Sequence, residues 1–329
     1  MTSAPDRAVE SGVSTRRRTR LRRFAFCLAV VGALVLAVYT GAAHYRPRDY
    51  LSYFREHKGR LVSSVESPPE PRGDGTLHRV TLQDDRGLKV DAFVKIPRAS
   101  AAPRAAIVTL GGLQGGVRAL EFVGDTGDFI VLAMDYPYSG PRSRLSAWQA
   151  LRLVPAMRRA VLNTPSATML GVDYLYRRPD VDRNRIVLIG GSLGALFAPA
   201  VAAADDRITA LALLFGAGDL FDILDANLPL PLLVRRPAAW GLSTVLSPLE
   251  PLKYIGRVAP RPVFMLNSTG DRRIPDRCSR LLQTAAGEPK TVRWIDAGHV
   301  HVRDRNFQRE VLTSVRAWLS DIGYSAAGE

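Results

Sequence analysis

Between Ile186 and Val201 the chain reads IVLIGGSLGALFAPAV: an apolar run meets Gly190-Gly191-Ser192-Leu193-Gly194, and an Ala-rich helical pattern begins at once. A buried strand that turns sharply into a helix needs backbone freedom and close approach, which glycine supplies. The short apolar runs RAAIVTLGG and FIVLAMDYP suit buried parallel strands, each followed by a Gly- or Pro-rich loop. A helical candidate, ATMLGVDYLYRR, stops at Pro179 just before the Ser192 strand. ITALALLFGAG, PVFMLNSTGD and TVRWIDAGH read as further strands, and FQREVLTSVRAWLSDIG as an amphipathic closing helix. HRVTLQD and LKVDAFVKIP alternate around an Asp-Asp-Arg-Gly turn, a hairpin ahead of the rest. Strands alternating with helices predict an α/β fold, a mostly parallel central sheet covered on both faces. Ligands in such sheets bind at the carboxyl ends of the strands.

Ahead of that body, Arg16, Arg17, Arg18, Arg20, Arg22 and Arg23 precede an uncharged apolar run from Phe24 to Ala43. A bilayer span needs about 20 such residues. The expected organisation is a basic cytoplasmic tail over 1–23, a transmembrane signal anchor over 24–43, a Pro/Gly-rich linker over 44–77 carrying SPPEPRGDG, and a folded domain over 78–329. Arginines on the cytoplasmic side place the domain outside the cytoplasm. A cleavable signal peptide ending near Gly41, Ala42 and Ala43 is the rival reading, with a secreted product. The stretch from Asp219 to Leu252 is long and apolar for a segment between two strands. Two readings fit it, a small cap over the site or one crossover helix with a Pro-rich loop.

The formal charge of +14 raises the question of nucleic acid. Part of it lies in the anchor flank, the other arginines are scattered, and no zinc-finger spacing, basic helix or aromatic RNA-binding signature accompanies them. The reading excludes a nucleic-acid partner and leaves a secondary attraction to anionic headgroups. Cys27 falls in the apolar run and Cys278 stands alone downstream, so no intramolecular disulfide framework follows.

The chemistry gathers at strand ends. A serine hydroxyl is a weak nucleophile until a base takes its proton and donors hold the oxyanion that forms. The turn at Ser192 exposes the hydroxyl and aims a helix N-terminus at the reacting carbonyl. The base must come from another strand end; of five histidines, His44, His57 and His78 precede or begin the domain. His299 follows Gly298 at the end of a strand, and His301, facing the other way on extended chain, is the second choice. Asp271 in NSTGDRRIP is the candidate acid, with Asp219 after the preceding strand as the spare. Two backbone amides complete the expectation: Leu193, the residue after the nucleophile, and Leu113 in the loop LGGLQGG.

The order Ser192, Asp271, His299 on successive strand ends resembles the α/β-hydrolase family over roughly His78 to Gly323. VDYLYRRPDVDRNRIVLIGGSLGA is similar to the helix, loop and nucleophile turn of its dienelactone-hydrolase-like and prolyl-oligopeptidase-like branches. LEPLKYIGRVAPRPVFMLNSTGDRRIP resembles their approach to the acid, and DAGH the segment carrying the histidine. Two departures stand out: Gly111-Gly112 replaces the His-Gly many members carry after the third strand, and Ser192 stands where dienelactone hydrolases proper use cysteine. The resemblance implies a serine hydrolase of carboxylic esters with no metal or organic cofactor; the apolar run behind its arginines makes the expected enzyme membrane-anchored, and the apolar Asp219–Leu252 stretch points to a lipophilic or small-molecule ester as substrate. A prolyl-oligopeptidase-like peptidase is the second reading, disfavoured because no propeller repeat is present. A non-catalytic binding module tethered to the membrane is the third.

Overall fold

The computed structural model describes residues 26, 29–30, 32–34, 36–98, 103–112, 115–123, 127–138, 147–299 and 304–324. Two compact units divide the chain, Met1–Arg48 and Asp49–Glu329. In the first, residues 36–45 are helical, and Thr40 Oγ1 donates to the Leu36 carbonyl at 2.9 Å. The expected span over 24–43 falls partly outside the described residues, and among those described no helix is long and apolar enough to cross a membrane.

Among its described residues, the second unit is built on ten strands: β1 Leu61–Glu66, β2 Glu70–Arg72, β3 Gly75–Asp84, β4 Lys89–Pro97, β5 Arg104–Leu110, β6 Ile130–Met134, β7 Val181–Gly191, β8 Ala210–Leu214, β9 Val263–Ser268 and β10 Lys290–Ile295. They form one sheet ordered β1-β3-β4-β6-β5-β7-β8-β9-β10, with β2 pairing β3. From β6 to β10 the pairing is parallel, and β1 to β4 run antiparallel. The parallel strands β6 and β8 are buried at every position, because helices cover both faces of them.

Among the described residues of this unit, eight α-helices follow in chain order: α1 Leu51–His57, α2 Gly116–Val123, α3 Ala147–Arg177, α4 Leu193–Ala204, α5 Leu220–Asn227, α6 Leu232–Leu246, α7 Asp276–Ala285 and α8 Arg305–Asp321. One face of the sheet packs Val187, Ile189, Val131 and Ala133 against Leu120 of α2 and Phe307, Val311 and Trp318 of α8. Trp318, 1% exposed, stacks on Phe264 at 5.4 Å between ring centroids. Burying a side chain of this size contributes roughly 1.5–3 kcal/mol. Glycines set how closely α3 and α4 lie on the opposite face. A Cβ at Gly171 would meet Met134 Sδ at 2.6 Å, and one at Gly190 would meet the Ala195 Cα and Ala198 Cβ at 2.8 Å each.

The segment expected as a linker over 44–77 is folded from Leu51 onward, a correction to the boundary at 78. Phe54 of α1 is fully buried, with its ring 6.4 Å from that of Tyr254. Arg55 donates from Nε and Nη2 to the Ala204 and Ala203 carbonyls, both at 3.0 Å, satisfying acceptors left over at the end of α4. Lys58 pairs with Asp173 at 2.8 Å. The prolines of SPPEPRGDG do not mark a flexible spacer: Pro71 sits on the short edge strand β2, where a missing donor is tolerated, and Gly73 makes the turn into β3 at φ +60°.

Two other elements differ from the sequence reading. The helix expected to stop at Pro179 runs from Ala147 to Arg177 and contains Pro155 and Pro165. The Asp219–Leu252 stretch holds two helices, α5 and α6, followed by short 3-10 turns over Ser247–Leu249 and Pro251–Lys253, more than one crossover helix and a loop. It leaves the sheet at the carboxyl end of β8, where the candidate site lies.

Candidate active site

Ser192 stands between β7 and α4 with φ +52°, a backbone conformation costly for any residue with a Cβ. Its surroundings hold it there. The Ser192 amide donates to Leu214 O on β8 at 2.8 Å, and the Gly194 amide donates to Gly111 O at 3.1 Å. Gly190 and Gly194 are required by space, since a Cβ on Gly190 would lie 2.7 Å from Gly194 O and one on Gly194 would overlap the Leu110 carbonyl. Gly191 has nothing nearer than 3.9 Å, so its place in the pentapeptide is not set by packing.

Three side chains expected from the sequence come together. Ser192 Oγ lies 3.0 Å from His299 Nε2, and His299 Nδ1 lies 2.7 Å from Asp271 Oδ2. This chain of contacts fixes the imidazole with its proton on Nδ1 and its lone pair toward the serine. Asp271 Oδ1 also accepts from the amides of Arg273 at 2.8 Å and Ile274 at 3.0 Å. Burial pushes the Asp271 carboxyl up, but the hydrogen bond to His299, the Arg273 amide, the imidazole's charge and the Ile274 amide outweigh it and hold the group below its ordinary range. The Asp271 side chain is only 3% exposed, against 15% for His299, so the acid is sheltered and the base reachable.

Asp219, the spare acid, is engaged elsewhere. It caps α5 by accepting from the Asp222 amide at 3.3 Å, its own amide donates to Glu250 Oε1 at 2.9 Å, and Arg277 lies 3.7 Å from its carboxylate. His301 and the expected oxyanion donor Leu113 lie outside the described residues. Leu193 is the first residue of α4, a position whose amide has no acceptor within the helix.

Three positioning contacts had no signal in the sequence. Ser268 at the end of β9 donates from Oγ to the Ala297 carbonyl and accepts from the Ala297 amide at 3.2 Å, so it joins the loop carrying Asp271 to the loop carrying His299. Phe215 follows β8 at φ +57°, rare for a bulky side chain, and its ring meets that of His299 edge-on at 6.1 Å. Tyr136 donates its hydroxyl to Gly111 O in the loop after β5. Burial, and then the charge of Asp135, push its phenol well above the ordinary value, which keeps it a donor. A serine, a phenylalanine and a tyrosine at strand ends are ordinary in sequence; their partners lie 25 to 84 residues away.

The strand order, the positive-φ serine between β7 and α4 and the histidine after the last strand define the α/β-hydrolase fold, and the chain has it. Solved structures similar to it include acetyl xylan esterase 1 from Thermoanaerobacterium sp. JW/SL YS485, at 16% identity and a TM-score of 0.56 over 83% of this chain and 92% of that one. An acetyl xylan esterase from Paenibacillus sp. R4 aligns at 16% identity and 0.59, over 80% and 90%. A 2,6-dihydroxy-pseudo-oxynicotine hydrolase aligns at 22% identity and 0.55, over 74% and 67%. No protein-family model matches the chain, and no curated protein matches it by sequence.

Proposed function

We propose that this chain is a serine hydrolase that cleaves carboxylic esters through an acyl-enzyme, with Ser192, His299 and Asp271 as its triad. The observation that carries the proposal is the unbroken contact chain from Ser192 Oγ to His299 Nε2 at 3.0 Å and from His299 Nδ1 to Asp271 at 2.7 Å. As Oγ attacks the ester carbonyl, its proton passes to Nε2; the buried carboxylate stabilises the imidazolium and keeps the ring in register. The new oxyanion is held by the amide of Leu193 and by that of Leu113. Collapse expels the alcohol, which takes the proton from Nε2. Water then enters by the same route, and the acid leaves with Ser192 restored.

An ester substrate agrees with the names of the similar structures, several of them esterases. The apolar Asp219–Leu252 insertion favours a lipophilic acyl group. The run from Phe24 to Ala43, behind its arginine cluster, supports an exported domain held at a membrane by that segment. The test is fluorophosphonate labelling of wild type and Ser192→Ala, with a p-nitrophenyl ester series of increasing chain length. Labelling and turnover that vanish together in Ser192→Ala support the triad. A folded wild type that neither labels nor turns over any ester refutes it.

A further inference from the structure

The loop between α5 and α6 and the first turn of α6 present an apolar tip that nothing among the described residues covers. Leu230, Leu232, Leu233 and Val234 are 39%, 61%, 90% and 55% exposed, side by side with the exposed Pro229 and Pro231. Single exposed leucines are ordinary, but four large apolar groups within five residues form a patch that asks for a partner. The charges around the patch say which partner fits. Arg236 is exposed two residues on, Arg235 beside it is held by Asp225 at 3.0 Å, and Arg272 and Arg273 are exposed on the acid loop, which Asn227 ties to the end of α5 through the Arg273 carbonyl at 2.7 Å. No Asp or Glu occurs from 226 to 249.

We infer that this tip docks on an anionic lipid bilayer, with Leu232, Leu233 and Val234 entering the headgroup boundary and the arginines meeting lipid phosphates. An apolar wedge beside cations is the pattern that binds such an interface, and arginine stems can lie along the apolar layer while their heads stay in water. A second copy of the chain fits less well, because a two-fold contact through this tip brings Arg236 of both copies together, and Asp225 is already paired with Arg235. The tip adjoins the Asp271 loop, so docking here brings the site to the bilayer surface where lipophilic esters reside. Only the activity arm of the test rests on the proposed ester hydrolysis.

The experiment uses the full chain on a Cys27→Ser background. The remaining native thiol, Cys278, is fully buried and pushed up to about 11 by burial and then by the Asp219 charge, so it resists labelling. Leu233→Cys carries an environment-sensitive fluorophore, and Ser320→Cys on the last turn of α8 serves as the control. Each is measured with vesicles of phosphatidylcholine, with and without phosphatidylglycerol. The expected result is a blue shift at 233, with quenching by spin-labelled acyl chains, that strengthens with phosphatidylglycerol while 320 reports water throughout. A probe at 233 that reports water on phosphatidylglycerol vesicles overturns the inference, as does a lipid-independent blue shift that grows with protein concentration, the mark of self-association. In the activity arm, Leu232→Ser/Leu233→Ser lowers hydrolysis of a long-chain ester in phosphatidylglycerol vesicles by about tenfold and leaves p-nitrophenyl acetate unchanged. Absence of all ester turnover in wild type would count against the triad, while the probe at 233 decides docking independently.

Discussion

Gly190→Ala tests whether the serine turn works by close backbone approach. The added Cβ would sit 2.7 Å from Gly194 O and 2.8 Å from both the Ala195 Cα and the Ala198 Cβ. None of these is the far end of a flexible side chain. Bringing such contacts to ordinary separation displaces α4 against β7 by roughly 0.3–0.7 Å, and overpacking of this kind costs about 1–3 kcal/mol. A domain of this size loses about 2–4 °C of Tm per kcal/mol. The same displacement moves Ser192 and the Leu193 amide relative to His299, and a misplacement near 1 Å can cost about 100-fold in rate. The expected outcome is a fall of at least about tenfold in kcat/KM with a lowered Tm, read by p-nitrophenyl acetate turnover and thermal unfolding. Gly191→Ala is the matched comparison: its Cβ meets nothing nearer than 3.9 Å, so its Tm stays at the wild-type value. Equal Tm losses in the two variants, or a fully active and stable Gly190→Ala, would refute the close-approach argument.

Asp271→Asn keeps the shape of the acid but favours the wrong imidazole tautomer; kcat should fall by about 10⁴-fold in steady-state assays. The same variant checks the sign of the acid's stabilisation. The carboxyl is held below its ordinary 3.8 in the folded chain, so its contribution is present above that pH and disappears as pH falls through the lowered value. Wild type should therefore exceed Asp271→Asn in urea stability at neutral pH and lose that part of its margin in strong acid. Ser268→Ala removes the bridge between the Asp271 loop and the His299 loop; kcat should drop about tenfold with little change in KM, fluorophosphonate labelling should persist but slow, and Ser268→Thr should restore part of the rate. Arg55→Ala deletes both bonds to the end of α4. A loss of about 1–3 kcal/mol in urea unfolding with ester turnover unchanged would match its role as an anchor for α1.

The proposed nucleophile, base and acid were legible because each sits next to a local signal. Ser192 lies inside a glycine turn, Asp271 and His299 each directly follow a glycine beyond an apolar strand, and local backbone demands leave that kind of mark. The same local reading mistook residues 51–77. LSYFREH and LVSSVE are too short for periodicity to separate them from loop, and the prolines beside them read as spacer, although Phe54, Arg55 and Lys58 make them part of the body.

The chain by itself determined the alternation of strands and helices, the place of the serine turn and the strand ends where chemistry can gather, because these follow from side-chain period and glycine over a few neighbouring residues. Only the tertiary structure decided that His299 takes Asp271 while Asp219 caps α5, that Ser268 ties two loops together, and that Phe215 lies edge-on to the imidazole. Those outcomes depend on strands β7, β8, β9 and β10 lying side by side. Sheet order brings residues about a hundred positions apart within hydrogen-bonding distance, and no local pattern of residues encodes which of two aspartates the histidine will meet.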